Sequence, residues 1–396
     1  MDTRLNHALD LRKGRDERAR ERFVSGLRGY VLMDLAGELR QDYDTKQLPA
    51  HLSAGGTEPA DGSDVHNIVK NTPVFNFYSS LRCTAQELVW DSVMDSVGAN
   101  RTELQTTFET LSEAPRGSLT LDPELDPPRY ADAVDVHLMP SNYRGAADAV
   151  VEPGAVYDNG LNVFAFGAMG RQLNDIGWSM ATFLKLKFPH LNPQHILDVG
   201  CTIGHNTLPW KQTFPDAEVT GVDLAAACLR YAHARAEAMD VAVHFKQASG
   251  DCLPFEDNSV DVVFTSMFLH ELPVKMIHAF MAEAHRVLKP GGVLLNMELP
   301  PNSAVEPYDG FYLDWDCYYN NEPFYKPFRD QDYRELTTKG GFAPDRFFEA
   351  VMPRQTYVSE EEFTGAVTGA AEFDEDTGRL SDQIKWYGFG SVKADD

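Results

Sequence analysis

From about residue 190 the chain alternates short apolar runs with amphipathic stretches, and this alternation limits the fold more than any other feature. The runs are HILDVG (195–200), AEVTGVD (217–223), VAVHFKQAS (241–249), DNSVDVVFTSMF (257–268) and GGVLLNMEL (291–299). Between them lie a helical stretch from Thr207, AAACLRYAHARAEAMD (225–240) and another helix around 275–288. Continuous apolar strands separated by helices imply a parallel sheet covered on both faces. Right-handed crossovers make that sheet doubly wound, so the expected fold class is α/β. RFFEAVMP (346–353) and IKWYGFGSVKA (384–394) read as a closing antiparallel pair at one edge. Ligands bind such sheets at the carboxyl ends of the strands, where strand order reverses. The glycine turn ILDVGCTIG (196–204) stands at that position.

The region upstream is of another kind. Residues 14–41 have helical spacing at Phe23, Leu27, Val31, Leu32 and Leu35, and a second helical stretch runs from about Phe77 to Leu111. The stretches 49–64 and 113–130 are rich in Pro, Gly and Ser and read as loops. The expected organisation is therefore a mainly helical N-terminal region over 1–150, serving dimerisation or capping an active site. A second unit follows over 151–396, with an aromatic lid insertion at about 301–338. A chain of 396 residues with 43% hydrophobic residues can support both.

A net charge of −25 excludes nucleic acid and anionic membrane surfaces as good partners. The five cysteines are scattered, with no metal spacing, so the expectation is no metal and a reducing compartment. The N-terminal stretch has no apolar core of a signal segment, and no apolar run reaches membrane-spanning length. A cytoplasmic protein is expected, with no nucleic-acid or membrane partner; the long helical N-terminal region favours a homodimer.

Four features fall on consecutive strand ends. Asp198 precedes the turn through Gly200, Thr202 and Gly204, where small residues let a ligand approach the backbone. Asp223, with Leu224 beside it, ends the next strand and suits the two hydroxyls of a ribose. Ser249, Gly250 and Asp251 form a polar turn that can read an adenine edge. Ser266 to His270 end the fourth strand, beside the reactive part of the ligand. The spacing from Gly200 is not GxGxxG, which counts against a dinucleotide and a nicotinamide oxidoreductase. An acid before the first glycine suits a cationic ligand, and S-adenosyl-L-methionine carries a sulfonium and an ammonium.

ILDVGCTIG, VTGVDL, LPFEDNSVDVVF and RVLKPGGVLL (286–295) resemble the class I S-adenosylmethionine-dependent methyltransferases. The branch is the one that includes the ubiquinone/menaquinone-biosynthesis methyltransferases and many small-molecule enzymes. The resemblance covers about residues 190–300. It implies a Rossmann-like seven-stranded sheet and methyl transfer from S-adenosyl-L-methionine to a small organic acceptor, oxygen first and carbon close behind. By resemblance Asp198, Gly200 and Gly204 flank the methionine moiety, Asp223 holds the ribose, and Tyr157 belongs to a segment that closes over the cofactor. Two positions depart from the family: Thr202 stands where glycine is usual, and the adenine-binding acid falls at Asp251, two residues after its usual place at Ser249. A non-catalytic cofactor-binding protein is the rival reading.

His270, followed by Glu271, matches the catalytic histidine of plant-type phenolic O-methyltransferases. A neutral imidazole with a pKa of roughly 6.5 could take the proton of a phenol near 10. The aromatic segment after GGVLLNMEL supplies Tyr312, Trp315, Tyr318 and Tyr319 as candidate acceptor contacts. An ordinary helix pair packed on the N-terminal region is its equal alternative.

Overall fold

The computed structural model describes residues 7–145, 149–170, 172–370, 372–381 and 383–395. Its strands are β1 (Ser118–Thr120), β2 (His195–Val199), β3 (Glu218–Asp223), β4 (His244–Gln247), β5 (Val260–Ser266), β6 (Leu288–Glu298), β7 (Phe347–Pro353) and β8 (Lys385–Val392). They form one sheet in the order β1-β4-β3-β2-β5-β6-β8-β7. Neighbours from β1 to β6 pair in parallel, and β8 runs antiparallel to β6 and β7. Chain order reverses between β2 and β5, so their carboxyl ends open the crevice where a ligand fits.

Alternate residues of the same strands feed two cores. Ile196, Val262 and Leu295 face one side, with Phe183, Trp210 and Leu229 packed on them. Leu197, Val263 and Leu294 face the other, with Ile277, Phe280 and Leu336. This two-sided burial is why the strands are apolar without a break.

The sheet has eight strands, not the seven expected. β1 comes from the stretch 113–130, which reads as a breaker because only three residues of it are extended. Tertiary contacts make it a strand. Glu237, on the helix Ala226–Ala238, accepts the amides of Arg116 and Gly117 at 2.8–3.0 Å. Gly117 lies so close to Val243 that a Cβ would meet its carbonyl at 1.9 Å. β1 then pairs with β4, so the N-terminal region shares the sheet of the second unit.

Other differences upstream are local. The 14–41 stretch runs as Arg15–Gly29, a wider π-helical turn Tyr30–Leu35 and Ala36–Asp42, with Val31, Leu32 and Leu35 buried and Phe23 exposed. The stretch 49–64 is not all loop: Leu48–Ser53 is helical, and Gly62–Val69 starts on the Asp61 side chain, which accepts from Ser63 and Asp64. The second helical stretch is two helices, Pro73–Ala99 and Arg101–Ser112. No described helix is long and apolar enough to cross a membrane.

Candidate active site

β2 ends in a turn built from left-handed residues: Gly200 (φ 79°), Thr202 (φ 48°) and Gly204 (φ 69°). Thr202 holds a conformation that costs a non-glycine residue about 1–2 kcal/mol. Its amide offsets this by donating to Asp223 Oδ2 at 2.8 Å, which ties the turn to the end of β3. A Cβ on Gly200 would meet the Phe268 ring at 2.4 Å.

A cavity of about 290 Å³ opens over this turn. Asp198, Gly200, Thr202, Asp223, Leu224, Gly250, Asp251, Ser266 and Tyr157 all line it. Gly204 does not: a Cβ there would meet Phe245 at 2.9 Å, so this glycine serves packing beneath the turn. Ser249 is also off the wall; its hydroxyl donates to Asp251, which faces the cavity instead.

Asp198 is buried and accepts from Thr207 Oγ1 at 2.6 Å. Burial, with Asp223 adding to it, pushes its carboxyl up to about 7. Burial also raises Asp223, against the amides of Ala225 and Thr202 that favour its charge. Two acids on adjacent strand ends, with no cation beside either among the described residues, suit a ligand that brings positive charge. His205 lines the same cavity; burial and Arg235 push it down to about 3, so it is neutral.

An ionic cluster also lines this cavity. His270 is buried, and its Nδ1–H donates to Glu298 Oε2 at 2.6 Å. Glu298 Oε1 accepts the amides of Phe268 and Leu269 at 2.9 and 2.6 Å, which fixes its orientation. Nε2 of His270 stands 3.8 Å from Glu271 and 3.9 Å from Glu322. Burial works to lower the imidazole, but Glu298, Glu271 and Glu322 outweigh it and raise His270 to about 9. This corrects the expectation of a neutral base near 6.5: the carboxylates keep the ring charged at neutral pH.

His137 completes the cluster, 3.2 Å from Glu271 and 3.1 Å from Glu322. Burial opposes its charge as well, yet Glu322 and Glu271 raise it to about 10. The expectation of no metal rested on sequence spacing alone; in the fold His137, Glu271 and Glu322 bring three potential ligand atoms within 4.8 Å of one another. They come from segments far apart in the chain, so no spacing rule could find them. Glu298 had one visible signal, an acid closing the apolar run GGVLLNMEL.

The aromatic segment divides. In the helix Pro307–Tyr319, Tyr312, Leu313 and Asp316 face the cavity, and Asn320 continues that face. Trp315, Tyr318 and Tyr319 do not line it. At about 100° per residue Trp315 and Tyr318 fall roughly 60° and 120° round the helix from Tyr312, away from Leu313. Trp315 stacks on His66 at 3.9 Å, Tyr319 accepts from Trp315 Nε1 at 3.2 Å, and Tyr318 is 65% exposed. This helix packs on Tyr43, Val65, Phe75 and Tyr78 of the N-terminal region.

Residues 196–292 match the family described as a methyltransferase domain. This stretch runs from β2 into β6 and holds the strand-end turn, so a methyltransferase domain occupies that part of the doubly wound sheet. A malonyl-[acyl-carrier protein] O-methyltransferase 1 of Coxiella burnetii is 32% identical over 36% of this chain and 45% of its own length. A demethylmenaquinone methyltransferase of Thermus thermophilus is 36% identical over 28% of this chain and 49% of its own. The chain thus spans about half the length of these curated relatives. A solved phosphoethanolamine N-methyltransferase 2 of Haemonchus contortus, bound to S-adenosyl-L-methionine, is 21% identical over 60% of this chain and 57% of its own, with a TM-score of 0.41.

Proposed function

We propose that this chain transfers the methyl group of S-adenosyl-L-methionine to a hydroxyl oxygen of a small organic acceptor, with residues 7–145 capping the site. The observation that carries the reading is one cavity lined both by Asp198, Gly200 and Asp223 at the strand ends and by His270. In this reading Asp223 accepts from the ribose hydroxyls and Asp198 faces the ammonium of the methionine moiety. The Gly200 turn lets the ligand approach the backbone, and Gly250 and Asp251 border the adenine. The cofactor, when bound, supplies an activated methyl on a positively charged sulfur; the protein has to bring the nucleophile in line.

Glu298 holds Nδ1 of His270, which leaves Nε2 to exchange a proton with an acceptor. The ring is charged at neutral pH, so its neutral form, able to take the proton of a phenol near 10, builds up as pH rises toward about 9. Tyr312, Tyr325 and Phe324 supply flat apolar wall beside it. The name of the Coxiella relative, an O-methyltransferase, agrees with oxygen as the acceptor atom.

The test incubates the purified chain with methyl-labelled cofactor and a panel of phenols and hydroxy acids, and locates the label by NMR. Oxygen-bound methyl in the product, lost in His270→Gln, is the expected result. A carbon-bound methyl, or an unaltered rate in His270→Gln, overturns the oxygen assignment. Retention of cofactor binding with no transfer to any acceptor favours a non-catalytic binding protein.

A further inference from the structure

The ionic cluster holds more carboxylate than a proton-transfer pair needs. Glu271, Glu298 and Glu322 face two imidazoles, and every ion pair described for them runs to His137 or His270. Two imidazoles thus serve three carboxylates, and Glu298 and Glu322 are buried, where a carboxylate short of partners is costly.

The chain also constrains one member strongly. His137 (φ 57°) and Leu138 (φ 57°) are consecutive left-handed residues, neither of them glycine. The His137 carbonyl is held by Gln86 Nε2 at 2.8 Å and Trp90 Nε1 at 2.6 Å, from the helix Pro73–Ala99. These bonds keep the imidazole in the cavity wall.

A separate observation concerns another residue that lines this cavity. Asn142 is 7% exposed and its Nδ2 donates to Ala131 at 2.6 Å. Its Oδ1 is buried with no hydrogen-bond partner among the described residues. A water carried by an ion is the kind of donor such an oxygen lacks.

We propose that His137, Glu271 and Glu322 bind one divalent transition-metal ion at the acceptor end of the cavity. Each of the three offers one ligand atom, and these atoms lie within 4.8 Å of one another, close enough for small side-chain rotations to bring them to bonds of roughly 2.1 Å around one ion. One imidazole with two carboxylates suits manganese, ferrous iron or zinc better than copper or calcium. The ion would bind the acceptor oxygen and lower its pKa. That role rests on the oxygen-methylation reading, while the metal site itself does not.

The experiment uses the full chain, stripped with a chelator and titrated with Mn²⁺, and follows loss of the free-ion signal by electron paramagnetic resonance. The expected result is about one bound equivalent, displaced by Zn²⁺, with affinity reduced at least about tenfold in His137→Gln and in Glu322→Gln. Glu271→Gln, at a half-exposed position, is the variant to use if either of those fails to fold. Absence of Mn²⁺ binding by the unaltered chain, or binding equal in all variants, shows an ion-pair network only and overturns the proposal. Binding of S-adenosylhomocysteine is measured on the same samples; its absence beside intact Mn²⁺ binding overturns the methyltransferase reading and leaves the metal site standing.

Discussion

Glu298→Gln tests the electrostatics of the site directly. Glu298 is fully buried, with Oε1 on two backbone amides and Oε2 on His270 Nδ1–H. Glutamine is nearly the same shape. Its oxygen can keep the two amides, and its NH₂ would then face Nδ1 and donate to an unprotonated ring. The substitution therefore removes a charge and reverses one hydrogen bond with little change in packing. Raising an imidazole from about 6.5 to about 9 corresponds to roughly 3 kcal/mol of preference for the charged ring in the folded state. The sign follows from proton binding. The folded protein holds this proton more tightly than the unfolded chain, so the stabilisation is complete below about 6.5 and is lost as pH rises through about 9. Glu298→Gln should cost up to about 3 kcal/mol at pH 6 and close to nothing at pH 10. Urea unfolding of both proteins at the two pH values measures this difference, and losses common to both cancel. An equal deficit at pH 6 and pH 10 would refute the charge argument and leave only a packing role for Glu298. In turnover, the pH at which the acceptor rate levels off should move down from about 9 in the variant.

Three further outcomes follow from the geometry. Asp223→Ala should weaken S-adenosylhomocysteine binding by at least about tenfold in calorimetry, since charged hydrogen bonds are each worth about 1.5–3 kcal/mol; unaltered affinity would place the ribose elsewhere. Cofactor binding near pH 6 should release a proton, because a bound ammonium favours the charged form of Asp198, which burial has raised to about 7; binding heats that do not depend on the buffer's ionisation enthalpy would contradict this. Trp315→Ala should lower the melting temperature by removing the stack on His66 and the contacts to Phe75 and Phe311, while KM for the acceptor stays unaltered; a raised KM with unaltered stability would return Trp315 to the acceptor pocket.

Local pattern made much of this protein legible. A strand buried on both faces has to be apolar throughout, so β2, β3, β5 and β6 stand out in the sequence, and the turn that joins β2 to its helix has to carry glycine at Gly200. The acids at the strand ends, Asp198 and Asp223, follow from the same pattern, because parallel strands deliver their carboxyl ends to one edge. Packing decided the rest. β1 is a strand only because Val243 and Glu237 hold it there, and Trp315 leaves the acceptor site because its helix turns that side to the N-terminal region. His137, Glu271, Glu298 and Glu322 meet across 185 residues of chain, and the charge of His270 is set by those neighbours. Side-chain period is a property of neighbouring residues and can be read along the chain. The pKa of a buried group depends on whatever charges the fold brings to it, and that order exists only in three dimensions.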